Sequence, residues 1–366
     1  MISVIPSVVL ATGTGTDVDV DIETEDFEPL VWMCDSRIVL DDPGQWGRVS
    51  QNDQIMAERD KNYAFEGESI TWEVLVMDKN GINKIEDVFA TIGSSQGAGN
   101  DIEVNCVEDL DYSEIIDRSC DATILEEDLT GKKLNTKTQR YYTCTLTIET
   151  ADSHYGEYWI TVEATDLDGL SGTMDENEFW FLNPIIALSI DGSISFENVR
   201  PGVSAYSDTL LVGNDAEAGS GVEMDMFISG TNFYDSASSG AACPNTNELN
   251  LDAFRYFATN GAYSTLLDVE MDTGFQGTYD VSTVRNKDTG GYVNIQHGDH
   301  WDRSMYEEAE IIQSGLQVEG PGPHGYFRGN TLTPGSEMAV TFKLNLPEPC
   351  NGDFDTGSIY FWGEAI

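Results

Sequence analysis

Basic residues are scarce in this sequence: 18 Lys and Arg stand against 65 Asp and Glu, with only 4 His. The resulting net charge of −47 leaves no basic patch to follow a phosphate backbone, which excludes nucleic acid as a partner. Long apolar runs are missing too. Nothing after the N-terminal "MISVIPSVVLA" is long and apolar enough to anchor the chain in a bilayer. No CxxC pair is present, so zinc ribbons and thioredoxin-type redox chemistry have no basis. No Gly-rich phosphate loop opens a helix and no cofactor fingerprint is found. Extended helical periodicity is lacking as well.

What is present describes a folded, exported protein. The 366 residues are 40% hydrophobic and 10% aromatic, enough for two domains with separate cores. The acid surplus keeps the surface hydrated and makes compaction repulsive unless salt screens it or divalent cations bridge it. It reads mainly as adaptation to a saline medium, compatible with a few cation sites. Residues 1–11 end in Val9-Leu10-Ala11, a small-residue cleavage pattern, and read as the second half of a signal peptide. The 6 cysteines divide evenly, Cys34, Cys106, Cys120 and Cys144 before residue 184, Cys243 and Cys350 after it. That division favours disulfides within each half, and an extracellular location. The expected pairing is Cys34–Cys144, Cys106–Cys120 and Cys243–Cys350, although four cysteines allow three pairings.

Strand-like alternation recurs throughout. Ile70, Trp72, Val74 and Val76 share one face of "ITWEVLVM"; Cys144, Leu146 and Ile148 share another, as do Tyr158, Ile160, Val162 and Ala164. Val222, Met224, Met226 and Ile228 repeat the pattern, and so do Met338, Val340, Phe342, Leu344 and Leu346. Arg200-Pro201-Gly202 reads as a turn in which Pro fixes φ and Gly relieves the corner. Only "LNLDAFRYFA" and "SMYEEAEIIQ" have helical character. The fold class is therefore all-β, two antiparallel β-sandwich domains in tandem, Ig-like or jelly-roll-like, over 27–183 and 184–366. A long acidic insertion covers about 235–330 of the second. Ahead of both, residues 12–26 form an acidic strand or linker with Val18, Val20 and Ile22 on one face. Asp17, Asp19, Asp21 and Glu23 line the other. This strand either opens its own domain or completes a sheet edge of the next subunit.

In residues 65–183, the hairpin Asp78 to Gly81 is followed by Gly156, Tyr158 and a second hairpin, Asp166 to Gly169. This pattern resembles the Ig-like domains of secreted and surface proteins. Phe196, Val199, Pro201 and Gly202, then Ser207 to Gly213 and "ISGTNF", resemble the β-sandwich of TasA- and camelysin-type matrix proteins and similar archaeal surface domains. The likeness covers mainly 186–233, with support from 331–362, and the acidic insertion departs from it. It implies an extracellular structural or fibre-forming protein that is not an enzyme.

Four motifs carry candidate chemistry. "GSSQG" around Ser95 has nucleophile-elbow spacing, but the loop after it leads to a strand and not to a helix. "HGDHWD" gathers His297, Asp299, His300 and Asp302 without a helical zinc motif. With 65 acids, paired carboxylates are inevitable and signify nothing. Asp78, Asn80, Asp166 and Asp168 are the calcium candidates, because hairpins at one end of an Ig-like sandwich bring their oxygens together. The expected function is a secreted, non-catalytic structural protein of the cell surface that assembles with itself into a filament, matrix fibre or surface layer. The alternative is an adhesin or carbohydrate-binding module using Trp301, Tyr306, Tyr326 and Phe327. Its partners are copies of itself, other surface proteins or glycans.

Overall fold

The computed structural model describes residues 25–34, 38–41, 56–59, 61–95, 97, 100, 102–110, 112–120, 129–174, 178–237, 240–266, 288–299, 309–318 and 326–366. The first eleven strands are β1 (Leu30–Met33), β2 (Ile38–Asp41), β3 (Met56–Arg59), β4 (Tyr63–Ala64), β5 (Ser69–Met77), β6 (Ile85–Gly93), β7 (Ile102–Glu108), β8 (Gln139–Thr147), β9 (Gly156–Asp166), β10 (Ser171–Thr173) and β11 (Glu178–Leu182). They form one hydrogen-bonded sheet in the order β3-β2-β5-β8-β7-β6-β9-β11-β4, with β1 on β5 and β10 on β9. The all-β expectation holds, but the sandwich is a single sheet folded over. β7 belongs to both wings, pairing with β8 on one side and β6 on the other.

Alternation explains why the wings close on each other. Ile70, Trp72, Val74 and Val76 of β5 meet Val88, Ala90 and Ile92 of β6 and Ile160, Val162 and Ala164 of β9 in one core. Each large side chain so buried contributes about 1.5–3 kcal/mol. The opposite face of β5 is buried as well. Leu75 and Met77 pack with Trp32, Ile116, Leu134, Tyr141 and the Cys34–Cys120 bridge in a satellite core beneath the connection from β7 to β8.

The second half holds β12 (Leu188–Asp191), β13 (Ser204–Asn214), β14 (Met224–Gly230), β15 (Phe254–Asn260), β16 (Tyr263–Ser264), β17 (Val293–Asn294), β18 (Gln296–His297), β19 (Gln317–Val318), β20 (Tyr326–Phe327), β21 (Thr331–Leu332), β22 (Glu337–Asn345) and β23 (Ile359–Ala365). β12-β13-β22-β15-β16, with β17 beside β15, make a six-stranded sheet. β14, flanked by β18, β21 and β23, is the centre of a four-stranded sheet. Met224, Met226, Ile228, Tyr256, Val340 and Phe342 fill the core between them. The other face of β14 is covered too: Asn330 Nδ2 donates to Asp225 Oδ1 at 2.7 Å and to the Met226 carbonyl at 2.6 Å, while Phe227 packs on Ala309 and Trp362.

The turn at Arg200-Pro201-Gly202 forms as expected, with Gly202 at φ 74° and Val203 N–H donating to the Arg200 carbonyl. "LNLDAFRYFA" differs: a 3-10 turn over Leu251–Ala253, capped by Asn250, leads directly into β15. Phe254, Tyr256 and Ala258 are buried at every second position, and pairing with β22 overrides weak helical character. Of "SMYEEAEIIQ", residues 304–308 lie outside the described residues; beyond them, Glu310 bridges to Phe227.

The two halves are joined by specific contacts. Tyr63 and Phe181 pack into the second core, and Tyr63 Oη donates to the Ile366 carbonyl at 2.6 Å. Tyr155 Oη donates to Glu217 at 2.8 Å, and Lys61 Nζ lies 3.1 Å from Glu223. In denaturant melts, Tyr63→Phe is expected to cost about 1 kcal/mol and Tyr63→Ala roughly 3–5 kcal/mol. An alanine variant as stable as the parent would mean that this contact does not hold the halves together.

Candidate functional site: hairpin ends, disulfides and open sheet edges

The two Asp-rich hairpins lie side by side. Asp166 is opposite Ile85 in the β6–β9 ladder, and Leu167 N–H donates to the Lys84 carbonyl at 2.8 Å. Asp78 is fully buried; its Oδ1 accepts the Asn80 N–H at 2.7 Å, and its Oδ2 has no hydrogen-bond partner. Asp166 Oδ1 accepts from the amides of Asp168 at 3.0 Å and Leu170 at 2.8 Å. Asp168 is paired with Lys84, and that hydrogen bond pushes the lysine pKa upward. Asn80 holds the incoming chain, accepting from Phe27 N–H at 2.7 Å and donating to the Glu25 carbonyl at 2.8 Å. The four residues share one end of the sheet, where their hydrogen-bonded groups serve turns, the incoming chain and a lysine while Asp78 Oδ2 stays unpartnered. No three carboxylates there come within 4.8 Å of one another among the described residues.

All six cysteines are paired, but two bridges differ from expectation. Cys34 joins Cys120, Cys106 joins Cys144, and Cys243 joins Cys350. Strand register is the reason. Cys106 and Cys144 face each other across the β7–β8 ladder, which leaves Cys34, at the end of β1, to the connection that crosses over β5. Beside Cys34 and Cys120 lies Glu73; these three make the one group of potential metal-binding atoms this close among the described residues, and the bridge ties up both sulfurs. Burial pushes the Glu73 carboxyl upward, and the negative charges of Asp109 and Asp117 add to it. Asp117 moves the other way because hydrogen bonds from Ser119 favour its ionised form.

The remaining candidates are dispersed. Ser95 lies in the bend between β6 and β7, where its carbonyl accepts from Asn100 Nδ2 at 2.8 Å. His297 is exposed, its Nε2 3.8 Å from an Asp252 carboxylate oxygen. His300, Asp302, Trp301, Tyr306 and the strand residues Val18, Val20 and Ile22 lie outside the described residues. Phe327, expected as a surface contact for a glycan, is 7% exposed; its N–H donates to buried Glu310, which makes it an interior residue.

Nothing in the sequence locates an edge that the strand over 12–26 could complete; the second half offers two. β12 pairs only with β13, and β23 pairs only with β14, among the described strands. The two edges open on the same side, because a Cβ on Gly363 of β23 would lie 3.8 Å from Leu188 Cδ1 of β12. Ile185, Ile186 and Ile190 stand exposed there, at 58%, 44% and 52%. The sequence signal was the run "NPIIALSI", whose isoleucines occur too densely for a strand with one solvated face.

These features define an all-β, fully disulfide-bridged, strongly acidic protein. Among the described residues, no helix is long and apolar enough to cross a membrane. No family model matches the chain, and no curated protein does. Among solved structures, it is similar to the C-terminal domain of the Streptococcus agalactiae AgI/II polypeptide BspA, at 8% identity over 92% of this chain and 96% of that one, TM-score 0.25. A putative secreted protein from Eubacterium rectale gives 9% identity over 94% and 68%, TM-score 0.20. The secreted serine protease VesC from Vibrio cholerae gives 9% identity over 83% and 49%, TM-score 0.16. At these TM-scores none of the likenesses carries an argument about function.

Two measurements follow from this geometry. Non-reducing peptide mapping is expected to recover Cys34–Cys120 and Cys106–Cys144 peptides; Cys34–Cys144 peptides would refute the register. Because the folded Glu73 pKa lies above its unfolded value, its ionisation destabilises the fold at neutral pH, and that penalty disappears as pH falls through the raised pKa toward the ordinary Glu value. Glu73→Gln is therefore expected to raise the melting temperature at neutral pH and to flatten that part of the stability profile. An unchanged profile would show that Glu73 is solvated.

Proposed function

We propose that this chain is a secreted, non-catalytic structural protein of a microbial cell surface, made of two β-domains divided near residue 184 and assembling with copies of itself by strand addition. The observation that carries the reading is the pair of open edges, β12 and β23, on one side of the second half. An extended segment adding there gains main-chain hydrogen bonds along the edge and apolar contacts with Ile185, Ile186 and Ile190. The chain supplies such a segment in residues 17–23, where Val18, Val20 and Ile22 alternate with acids. Complete cysteine pairing supports an oxidising, extracellular setting. Copies each carrying −47 repel one another, so salt or a divalent cation such as calcium belongs to the assembly.

The test compares residues 12–366 with a chain starting at Phe27 by negative-stain electron microscopy, with and without calcium. Filaments or sheets are expected from the longer chain alone, favoured by calcium and weakened by Ile190→Lys. Dispersed particles from both chains in every condition would overturn the reading.

A further inference from the structure

The outer face of the six-stranded sheet carries a cluster that neither core nor edge assembly uses. Register sets Tyr206 of β13, Lys343 of β22 and Arg255 of β15 in one row, each directly opposite the next. Phe342, Leu344 and Tyr256, their neighbours along the strands, are buried in the core, so by alternation the row faces outward. Phe257, two residues beyond Arg255, shares that face. Tyr292 is delivered by the turn Asp288-Thr289-Gly290-Gly291, in which Asp288 Oδ1 accepts the amides of Gly290 at 2.8 Å and Tyr292 at 3.1 Å and Gly291 takes φ 80°.

The result is a ring surface with a polar seam. The Tyr292 ring centroid is 5.6 Å from that of Tyr206 and 5.7 Å from that of Phe257. Lys343 Nζ donates to Asp288 Oδ2 at 2.6 Å and lies 5.6 Å from the Tyr292 centroid. The hydrogen bond to Asp288 pushes the lysine pKa upward against burial. Burial pushes the Asp288 carboxyl upward, but the lysine and the turn amides outweigh it and hold it below the usual range. The pair therefore stays ionised near neutrality. Tyr206 is 58% exposed.

We propose that this face binds a neutral polysaccharide, with pyranose rings stacked on Tyr206, Tyr292 and Phe257 and hydroxyls bonded to Lys343 and Asp288. The chemistry selects such a ligand. Sugar rings present an apolar C–H face to an aromatic ring and a rim of donors and acceptors around it, which is what the rings and the balanced ion pair complement. A polyanion is disfavoured because the lysine is paired with Asp288, Arg255 turns Nη1 to the Tyr292 carbonyl at 3.4 Å, and the surrounding chain carries −47. The residues sit on paired strands and a hydrogen-bonded turn, so little ordering is needed on binding. The inference goes beyond self-assembly and stands independently of it.

The experiment measures depletion of the full chain onto particles of cellulose, chitin and β-1,3-glucan, with alginate as the anionic comparison, and repeats it with Tyr206→Ala and Tyr292→Leu. Retention on at least one neutral polymer is expected, insensitive to added salt and weakened roughly tenfold by either substitution at unchanged melting temperature. Retention on none of the three, binding to alginate alone, or binding that both variants leave intact would overturn the proposal. So would a change in oligomeric state of Tyr206→Ala without polymer, which would assign the face to a second copy of the chain.

Discussion

Every packed element has to form against the mutual repulsion of a chain with net charge −47. Much of the structure is an answer to that constraint. Acids are used locally as acceptors for the backbone two residues on: Asp78 for Asn80, Asp117 for Ser119, Asp166 for Asp168, Asp235 for Ala237 and Asp288 for Gly290. Each such turn places a negative charge where amide N–H groups converge, so the same residues that resist compaction also build the loops. Three of the scarce cations sit at junctions: Lys84 between hairpins, Lys61 between halves and Lys343 within the aromatic face.

Two extensive apolar cores oppose the remaining repulsion, and they are not independent of each other. Tyr63 of β4 reaches into the second core, with its hydroxyl on the Ile366 carbonyl. The halves are thereby coupled through a buried aromatic as well as through the short connection between β11 and β12. The same rigidity underlies both functional readings, since an edge that accepts a strand and a face that stacks sugars each require fixed backbone.

Alternation made β22 and one face each of β5 and β9 legible, because their apolar residues recur at every second position. It was less informative wherever a strand is covered on both faces. Leu75 and Met77 on β5, and Asp225 and Phe227 on β14, are buried by segments distant in sequence that no local pattern identifies. The disulfide exchange has the same origin: Cys106 meets Cys144 through ladder register, which is a property of the folded sheet. The calcium candidates Asp78, Asn80, Asp166 and Asp168 share one end of the sheet, but the Asx turns and the Lys84 pair made by some of their oxygens depend on hydrogen bonds that spacing does not reveal. The aromatic face was invisible for the strongest reason, as Tyr206, Phe257, Tyr292 and Lys343 come from four separate segments and only pairing aligns them.

The bridges Cys34–Cys120 and Cys106–Cys144 interleave along the chain. Under tension, the load path therefore passes from Cys34 through the first bridge to Cys120, back along the chain to Cys106 and through the second bridge to Cys144. The long stretch between Cys34 and Cys144 is shortened to that one small segment. Cys243–Cys350 does the same for most of the second half. A pulled molecule would give length through the unbridged stretch between Cys144 and Cys243, while the bridged block on either side of it held its length until covalent bonds took the strain.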